Sequence, residues 1–237
     1  MSEDIFNLTF NKITSNLKAK KVNLIAIHGP QGMGKTTLCK KLKIEFEKKS
    51  YKVIVFSIDD FYYKYDDMKN ILKSYNNELY QYRGLAGTHD MNLLELTLCN
   101  LLASKNTPIP TYDKTKYNGF GDRGESFESG ESNNIIILEG WMIGYEPKKK
   151  LLNDLYLFNE NLKLYKKVQD MVDIWIKFET NHHINIYKWR WSAEDKENGM
   201  NKETFNKFFF PYMKIYENYS VNGDKIIIDK DRNLLNF

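Results

Sequence analysis

With 237 residues, of which 42% are hydrophobic, 28% charged and 14% aromatic, the chain can bury a sizeable core, which excludes a disordered polymer. A net charge of only +4, with lysine clusters at Lys40-Lys41, Lys48-Lys49 and Lys148 to Lys150 reading as solvated loops and helix ends, argues against nucleic acid as the main partner. No apolar run approaches the ~20 residues that span a bilayer, and "MSEDIFNLTF" lacks the regions of a signal peptide, so a reduced, cytoplasmic setting is expected, with no membrane partner and with Cys39 and Cys99 buried and unbonded in helices.

In chain order, "VNLIAIH" (22–28) is a short apolar run that suits a strand buried on both faces. Leu38, Leu42 and Phe46 recur at helical spacing after it, and "KVIVFSID" (52–59) reads as a second strand ending in two aspartates. Leu94, Leu98, Leu101 and Leu102 form a helical stripe between Asp90 and Ser104, with Thr88 or Asp90 as its cap. "NIIILEG" (134–140) predicts a third strand and "LYLF" (155–158) a fourth.

Leu164, Val168, Met171, Val172 and Trp175 then predict a helix over about 160–180. Residues 183–197 are polar for a helix and are expected to be exposed. The aromatic stripe Phe205, Phe208, Phe209, Tyr212, Tyr216 and Tyr219 predicts a further helix kinked at Pro211, and "DKIIID" (224–229) a fifth strand. Strands alternating with helices predict an α/β fold, and ligands of such sheets collect at the carboxyl ends of the strands. Those ends are expected at His28-Gly29, Asp59-Asp60, Glu139-Gly140 and Asn159.

The first of these ends opens "HGPQGMGKTT", whose Gly29-x-x-x-x-Gly34-Lys35-Thr36 satisfies the phosphate-binding pattern between a strand and a helix. Gly29, Gly32, Met33, Gly34, Lys35, Thr36 and Thr37 make up the expected nucleotide-binding set. Within it, glycines let main-chain amides turn inward, Lys35 reaches the β- and γ-phosphates and the Thr36 hydroxyl ligates Mg²⁺; His28 and Thr37 have no special chemistry of their own. Glu139 would complete the metal site if its strand neighbours the first.

The fate of the terminal phosphate turns on Asp59, placed to orient an acceptor hydroxyl and accept its proton. Asp60 beside it caps the following turn, supports the metal or borders the acceptor. No Asn-Lys-x-Asp guanine-reading motif exists, since "NKIT", "NKET" and "NKFF" all lack the acid, so a GTPase switch is excluded and a small-molecule kinase remains. Such an enzyme must exclude water, and the segment about 183–200 is the expected lid, with Arg190 stretching over the transferring phosphoryl group.

The stretches "GPQGMGKTT", "SIDDFY", "RGLAGTHD", "YDKTKYNGFGDR", "LEGWMIGY" and "WRWSAE…FFFPYMKIYENY" occur in that order across roughly residues 22 to 229. Together they resemble the plant-type D-glycerate 3-kinase family and its fungal ATP-binding relatives, P-loop kinases of the clan that includes uridine kinase, phosphoribulokinase and bacterial pantothenate kinase. The resemblance implies a nucleoside-kinase-like P-loop NTPase fold, a mainly parallel five-stranded sheet flanked by helices with a helical lid, in one domain spanning 1–237. It implies ATP and Mg²⁺ as cofactors, Asp59 as base, and acceptor-site loops at about 82–90 and 111–130.

On those loops Arg83, Lys114 and Arg123 are cations for a small anion, Thr88, His89 and Asp90 stand at a helix N-terminus near its hydroxyls, and Tyr62, Tyr112, Asp113 and Asp60 add polar contacts. The sequence departs from the resembling family in two places. Only Lys196 follows the lid arginine where another basic residue is usual, and the 122–134 region is compact. The expected activity is therefore transfer of the γ-phosphate to a hydroxyl of a small anionic metabolite, D-glycerate favoured, by a monomer. Another acceptor (uridine, pantothenate, another sugar acid) or a non-catalytic ATP-binding role stands as the alternative, and the adenine contact is placed near Asn222 to Asp224.

Overall fold

The computed structural model describes residues 2–149, 153–197 and 201–235. Its elements in chain order begin with α1 (Glu3–Asn16), β1 (Asn23–His28), α2 (Lys35–Lys48), β2 (Val53–Ser57), α3 (Tyr65–Tyr75) and α4 (Met91–Leu102). Four two-residue strands follow: β3 (Pro108–Ile109), β4 (Tyr112–Asp113), β5 (Asp122–Arg123) and β6 (Phe127–Glu128). The second half holds β7 (Ile135–Gly140), α5 (Tyr156–Leu162), α6 (Lys166–Asp170), β8 (Ile174–Thr180), α7 (Ile184–Glu197), α8 (Lys202–Asn218) and β9 (Ile226–Ile228).

The five long strands form one parallel sheet in the order β2-β7-β1-β8-β9. β1 and β7 are buried along their whole length, as expected of central strands with helices on both faces. Leu24, Ile25 and Ile27 have no exposure, and each such side chain contributes about 1.5–3 kcal/mol of burial free energy. Register fixes the site: Ile27 pairs with Glu139, and Ser57 pairs with the same Glu139 from the other side. The carboxyl ends of β1, β7 and β2 therefore lie side by side, as the sequence predicts.

The structure corrects several expectations. Residues 155–158 are helical, and Phe158, Asn159 and Leu162 form the buried face of α5. Asn159 does not end a strand: its side chain accepts from the Lys148 amide (2.6 Å) and the Tyr219 hydroxyl (2.8 Å) and clamps two loops together. The helix expected over 160–180 stops at Asp170, and Ile174–Thr180 is the fourth sheet strand, alternating buried and half-buried residues. Period-2 burial of Ile174, Ile176, Phe178 and Thr180 outweighs the helical stripe that seemed to run on to Trp175.

Asp173 marks the boundary by accepting from the Leu24 amide at 2.9 Å. Within the expected acceptor-site loop at about 111–130, β5 pairs with β4, and β6 with β3. Cys39 is buried as expected, whereas Cys99 lies on the solvent face of α4. Asp90, and not Thr88, caps α4 by accepting from the Leu93 amide. Pro211 lies inside α8, which runs on through it. Among the described residues no helix is long and apolar enough to cross a membrane.

Candidate active site

The loop between β1 and α2 needs its glycines for two separate reasons. Gly34, the N-cap of α2, has φ +99°, in the left-handed region that side chains resist. Gly32 has φ +76°, and a Cβ there would stand 2.8 Å from the Trp189 Cβ. α7 therefore rests directly on the loop. This corrects the expectation of an exposed segment: Asn185, Ile186, Trp189 and Glu194 are all buried. Residues 198–200 of the expected lid, and the Lys196 side chain, lie outside the described residues.

Within the loop the Gly29 amide donates to the Gly140 carbonyl at 3.3 Å, and Met33 is fully buried against Gly29. Lys35 curls back to donate to the Pro30 carbonyl at 3.1 Å. Burial lowers its pKa, with Glu139 and Asp59 opposing the shift. The Thr36 hydroxyl donates to Glu139 Oε1 at 3.0 Å, and Thr37 is exposed on the first turn of α2. Burial raises the Glu139 carboxyl, with Lys35 pulling the other way. His28 is not aimed at the loop: its Nδ1 meets the Ile143 carbonyl at 2.7 Å, and burial lowers its pKa to about 3.

A one-turn 3₁₀ helix (Ile58–Phe61) follows β2, and its two aspartates have different work. Asp60 accepts from the Ser57 amide at 2.8 Å, closing a capping box, and burial raises its pKa to about 6. The Asp59 carboxylate turns outward. Lys114 Nζ donates to its Oδ2 at 2.7 Å and the Tyr62 hydroxyl to its Oδ1 at 3.0 Å. Burial alone would raise Asp59, but Lys114 and His89 more than offset it and hold the carboxyl well below its ordinary range. Lys35 and Glu139 both feel the Asp59 charge, which puts the acid near the loop and the Thr36–Glu139 pair.

The expected acceptor residues sort into a free end and a scaffold. Lys114 is exposed and reaches the acid from the β4–β5 hairpin. Arg123 is committed elsewhere, donating to Asp90 Oδ2 and the Tyr62 carbonyl, both at 3.0 Å. Arg83 donates to the carbonyls of Gly119 and Phe120 and lies over the rings of Tyr62 and Tyr112. Thr88 is buried, bonded within its own loop to Gly84 and Leu85. His89 is buried beneath the Tyr62 ring, at 4.3 Å between centroids. Asp113 receives the Thr115 amide and hydroxyl and so folds the hairpin tip, while the Tyr112 hydroxyl points to the Phe120 carbonyl at 3.4 Å.

The structure thus brings Lys35, Thr36, Asp59, Tyr62, Lys114 and Glu139 together, and uses Thr88, Asp90, Asp113 and Arg123 to hold the walls. Arg190 bonds Glu194 one turn along α7, and its Nε has no hydrogen-bond partner among the described residues. The sequence reading missed Arg232. From the loop after β9 its Nε donates to the Gly32 carbonyl at 2.9 Å, and its guanidinium lies 5.1 Å from the Trp189 ring centre. Residues 222–224 lie in the loop before β9, where the sequence places them, and Asn222 bonds Glu146. No pattern in one sequence marks an arginine that long-range folding alone brings to the loop.

The Thr36–Glu139 pair offers hard oxygen donors beside a phosphate cradle, which fits Mg²⁺ carried in with a nucleotide. Among the described residues no group of three His, Cys, Asp or Glu side chains could hold a metal ion by itself.

Comparison with known proteins agrees with this geometry. Residues 24–219 match the model of the Phosphoribulokinase / Uridine kinase family. The uncharacterized kinase mug58 of Schizosaccharomyces pombe is 32% identical over 222 residues, covering 83% of this chain and 80% of its own. The chloroplastic D-glycerate 3-kinase of Arabidopsis thaliana is 34% identical over 217 residues, 83% of this chain and 47% of that one. The solved structure of YGR205w protein superposes with a TM-score of 0.87 at 28% identity, covering 99% of this chain and 98% of that one.

Proposed function

The chain belongs to the phosphoribulokinase and uridine kinase family, and from that premise we propose that this ATP-dependent P-loop kinase phosphorylates a hydroxyl of D-glycerate. The observation that carries the reading is the single exposed ammonium of Lys114 at 2.7 Å from the Asp59 carboxylate, on the same cleft as the phosphate loop. A small hydroxy acid matches that pair: its carboxylate answers the lysine, and the hydroxyl a few bonds away answers the acid. The similarity to a relative named D-glycerate 3-kinase supports the same acceptor.

In this reading the loop amides of Gly32 and Gly34 and the Lys35 ammonium hold the triphosphate, and Thr36 and Glu139 hold Mg²⁺. The ion, when bound, neutralises charge on the phosphate oxygens. Asp59 orients the acceptor hydroxyl and takes its proton as the oxygen–phosphorus bond forms and the bond to ADP breaks. Arg190 follows the developing charge from the lid, and its unpaired Nε is the donor left for that purpose. Arg83 and Arg123 shape the acceptor walls, and the whole of 1–237 acts as one catalytic unit, a monomer in the cytoplasm. The test is ADP release in the presence of MgATP with D-glycerate, uridine, pantothenate and other sugar acids, the product identified by phosphorus NMR. D-Glycerate-dependent release is expected; no response at millimolar D-glycerate would remove it as the substrate.

A further inference from the structure

A histidine that the reaction above does not use lies directly beneath its proposed base. His89 has no exposure, Tyr62 covers one face of its ring, and the Tyr165 hydroxyl stands 2.6 Å from its Nδ1. Its Nε2 is buried without a hydrogen-bond partner among the described residues and lies 3.8 Å from Asp59 Oδ1, beyond bonding distance. A buried polar atom left unpaired costs stability, so its retention beside a carboxylate asks for a role.

The surroundings fix which nitrogen carries the proton. Burial holds the ring neutral, even with Asp59 favouring its charged form. A carboxylate can only accept, so the nitrogen facing it must donate. Tyr165 then gives its own proton to Nδ1. The order is Tyr165 to His89 to Asp59, with Nε2–H aimed at Oδ1.

We propose that His89 is the positioning residue of Asp59, its Nε2–H holding Oδ1 so that Oδ2 faces the acceptor hydroxyl once Lys114 turns to the acceptor's carboxylate. This rests on the kinase reading. In the free protein two donors hold the acid, Lys114 on Oδ2 and Tyr62 on Oδ1. Departure of Lys114 leaves Tyr62 and His89, both on the same oxygen, which directs the other outward. His89 keeps its own proton throughout, and the hydroxyl proton goes to Asp59 alone. The other charged or titratable groups facing Asp59 are Lys35, Asp60, Tyr112, Glu139 and Tyr212. None of these is hydrogen-bonded to Oδ1 among the described residues.

Two measurements test the role. Nitrogen-15 NMR of the imidazole rings, with His89→Gln assigning one of the four histidines, reads the tautomer without any turnover. A neutral, Nε2-protonated His89 is expected; an Nδ1-protonated or charged ring at neutral pH overturns the proposal. In steady-state kinetics His89→Leu should lower kcat by about 10- to 100-fold, the loss of one hydrogen bond to a charged group, with both KM values within about threefold.

His89→Gln, which retains a donor, should recover most of that loss. Tyr165→Phe conserves volume, frees the tautomer, and should lower kcat by a smaller factor. A glutamine variant no better than leucine, or a loss confined to the acceptor KM, overturns the proposal. If the wild-type protein releases no ADP with any acceptor while the tautomer is as stated, the kinase reading fails and takes the catalytic role with it.

Discussion

Replacing Lys114 with methionine keeps an apolar stem of nearly the same reach and removes the exposed ammonium that pairs with Asp59. The pair is 2.7 Å apart, with Lys114 55% and Asp59 22% exposed at their side chains. At that separation Coulomb's law gives about 1.5 kcal/mol in a water-like medium. Solvent at so exposed a lysine reduces the measurable part to about 1 kcal/mol or less. Loss of Lys114 should therefore raise the Asp59 pKa by less than about one unit. That carboxyl is held so low that it stays ionised at neutral pH, and base strength limits turnover only as pH falls through its folded value.

The larger effect falls on the acceptor. A charge-assisted hydrogen bond from Lys114 to a substrate carboxylate contributes about 1.5–3 kcal/mol, or roughly 10- to 150-fold in acceptor affinity. Steady-state ADP release for Lys114→Met should show the acceptor KM raised by that factor, the ATP KM unchanged, and kcat lowered much less. An unchanged acceptor KM, or equal loss toward both substrates, would refute the assignment of Lys114 to the acceptor's charge.

Asp59→Ala should lower kcat by roughly 10²–10⁴-fold while MgATP still raises the melting temperature by the wild-type amount, a comparison made by calorimetry alongside turnover. Asp60→Asn keeps an oxygen for the Ser57 amide and removes a carboxyl whose folded pKa is raised to about 6. Because the folded state binds that proton more tightly, wild-type stability falls as pH rises from about 4 to 6 and stays reduced above. The nucleotide-free variant should gain up to about 3 kcal/mol at pH 7.5 in denaturant titrations and nothing near pH 4; equal gains at both would contradict the sign. Gly32→Ala should weaken ATP binding at least about tenfold, since its Cβ meets Trp189 at 2.8 Å, whereas Gly130→Ala, with open space around it, should cost about 1 kcal/mol of stability and leave ATP binding intact.

Residues whose chemistry is local could be read before folding was known. Gly34, Lys35 and Thr36 form one turn between a strand and a helix, Asp59 stands two residues past the end of a strand, and Glu139 lies near the end of another whose burial is plain. The sheet order that brings them together is not in the apolar runs: the sequence offers Glu139 only if its strand neighbours the first, and the structure supplies the order β2-β7-β1. β8 was hidden because Val168, Met171 and Trp175 share a helical spacing across the helix–strand boundary at Asp173. Asn159 looked like a strand end only because "LYLF" is apolar enough for either state.

The scaffold roles of Arg123, Thr88 and Asp113, and the contact of Arg232 with Gly32, depend on partners 33 to 200 residues distant or on a turn's own hydrogen bonds. Composition offers no sign of which cation stays free. The structure decides between Lys114 and the two arginines by spending the arginines on carbonyls and on Asp90.

The most direct measurement is a crystal structure of the protein with Mg²⁺, a non-hydrolysable ATP analogue and D-glycerate. The account predicts a glycerate hydroxyl within about 3.2 Å of an Asp59 carboxylate oxygen and aimed at the γ-phosphorus, with Lys114 moved onto the glycerate carboxylate. Glycerate bound elsewhere, or Asp59 still paired to Lys114 with no hydroxyl between it and the triphosphate, would contradict it.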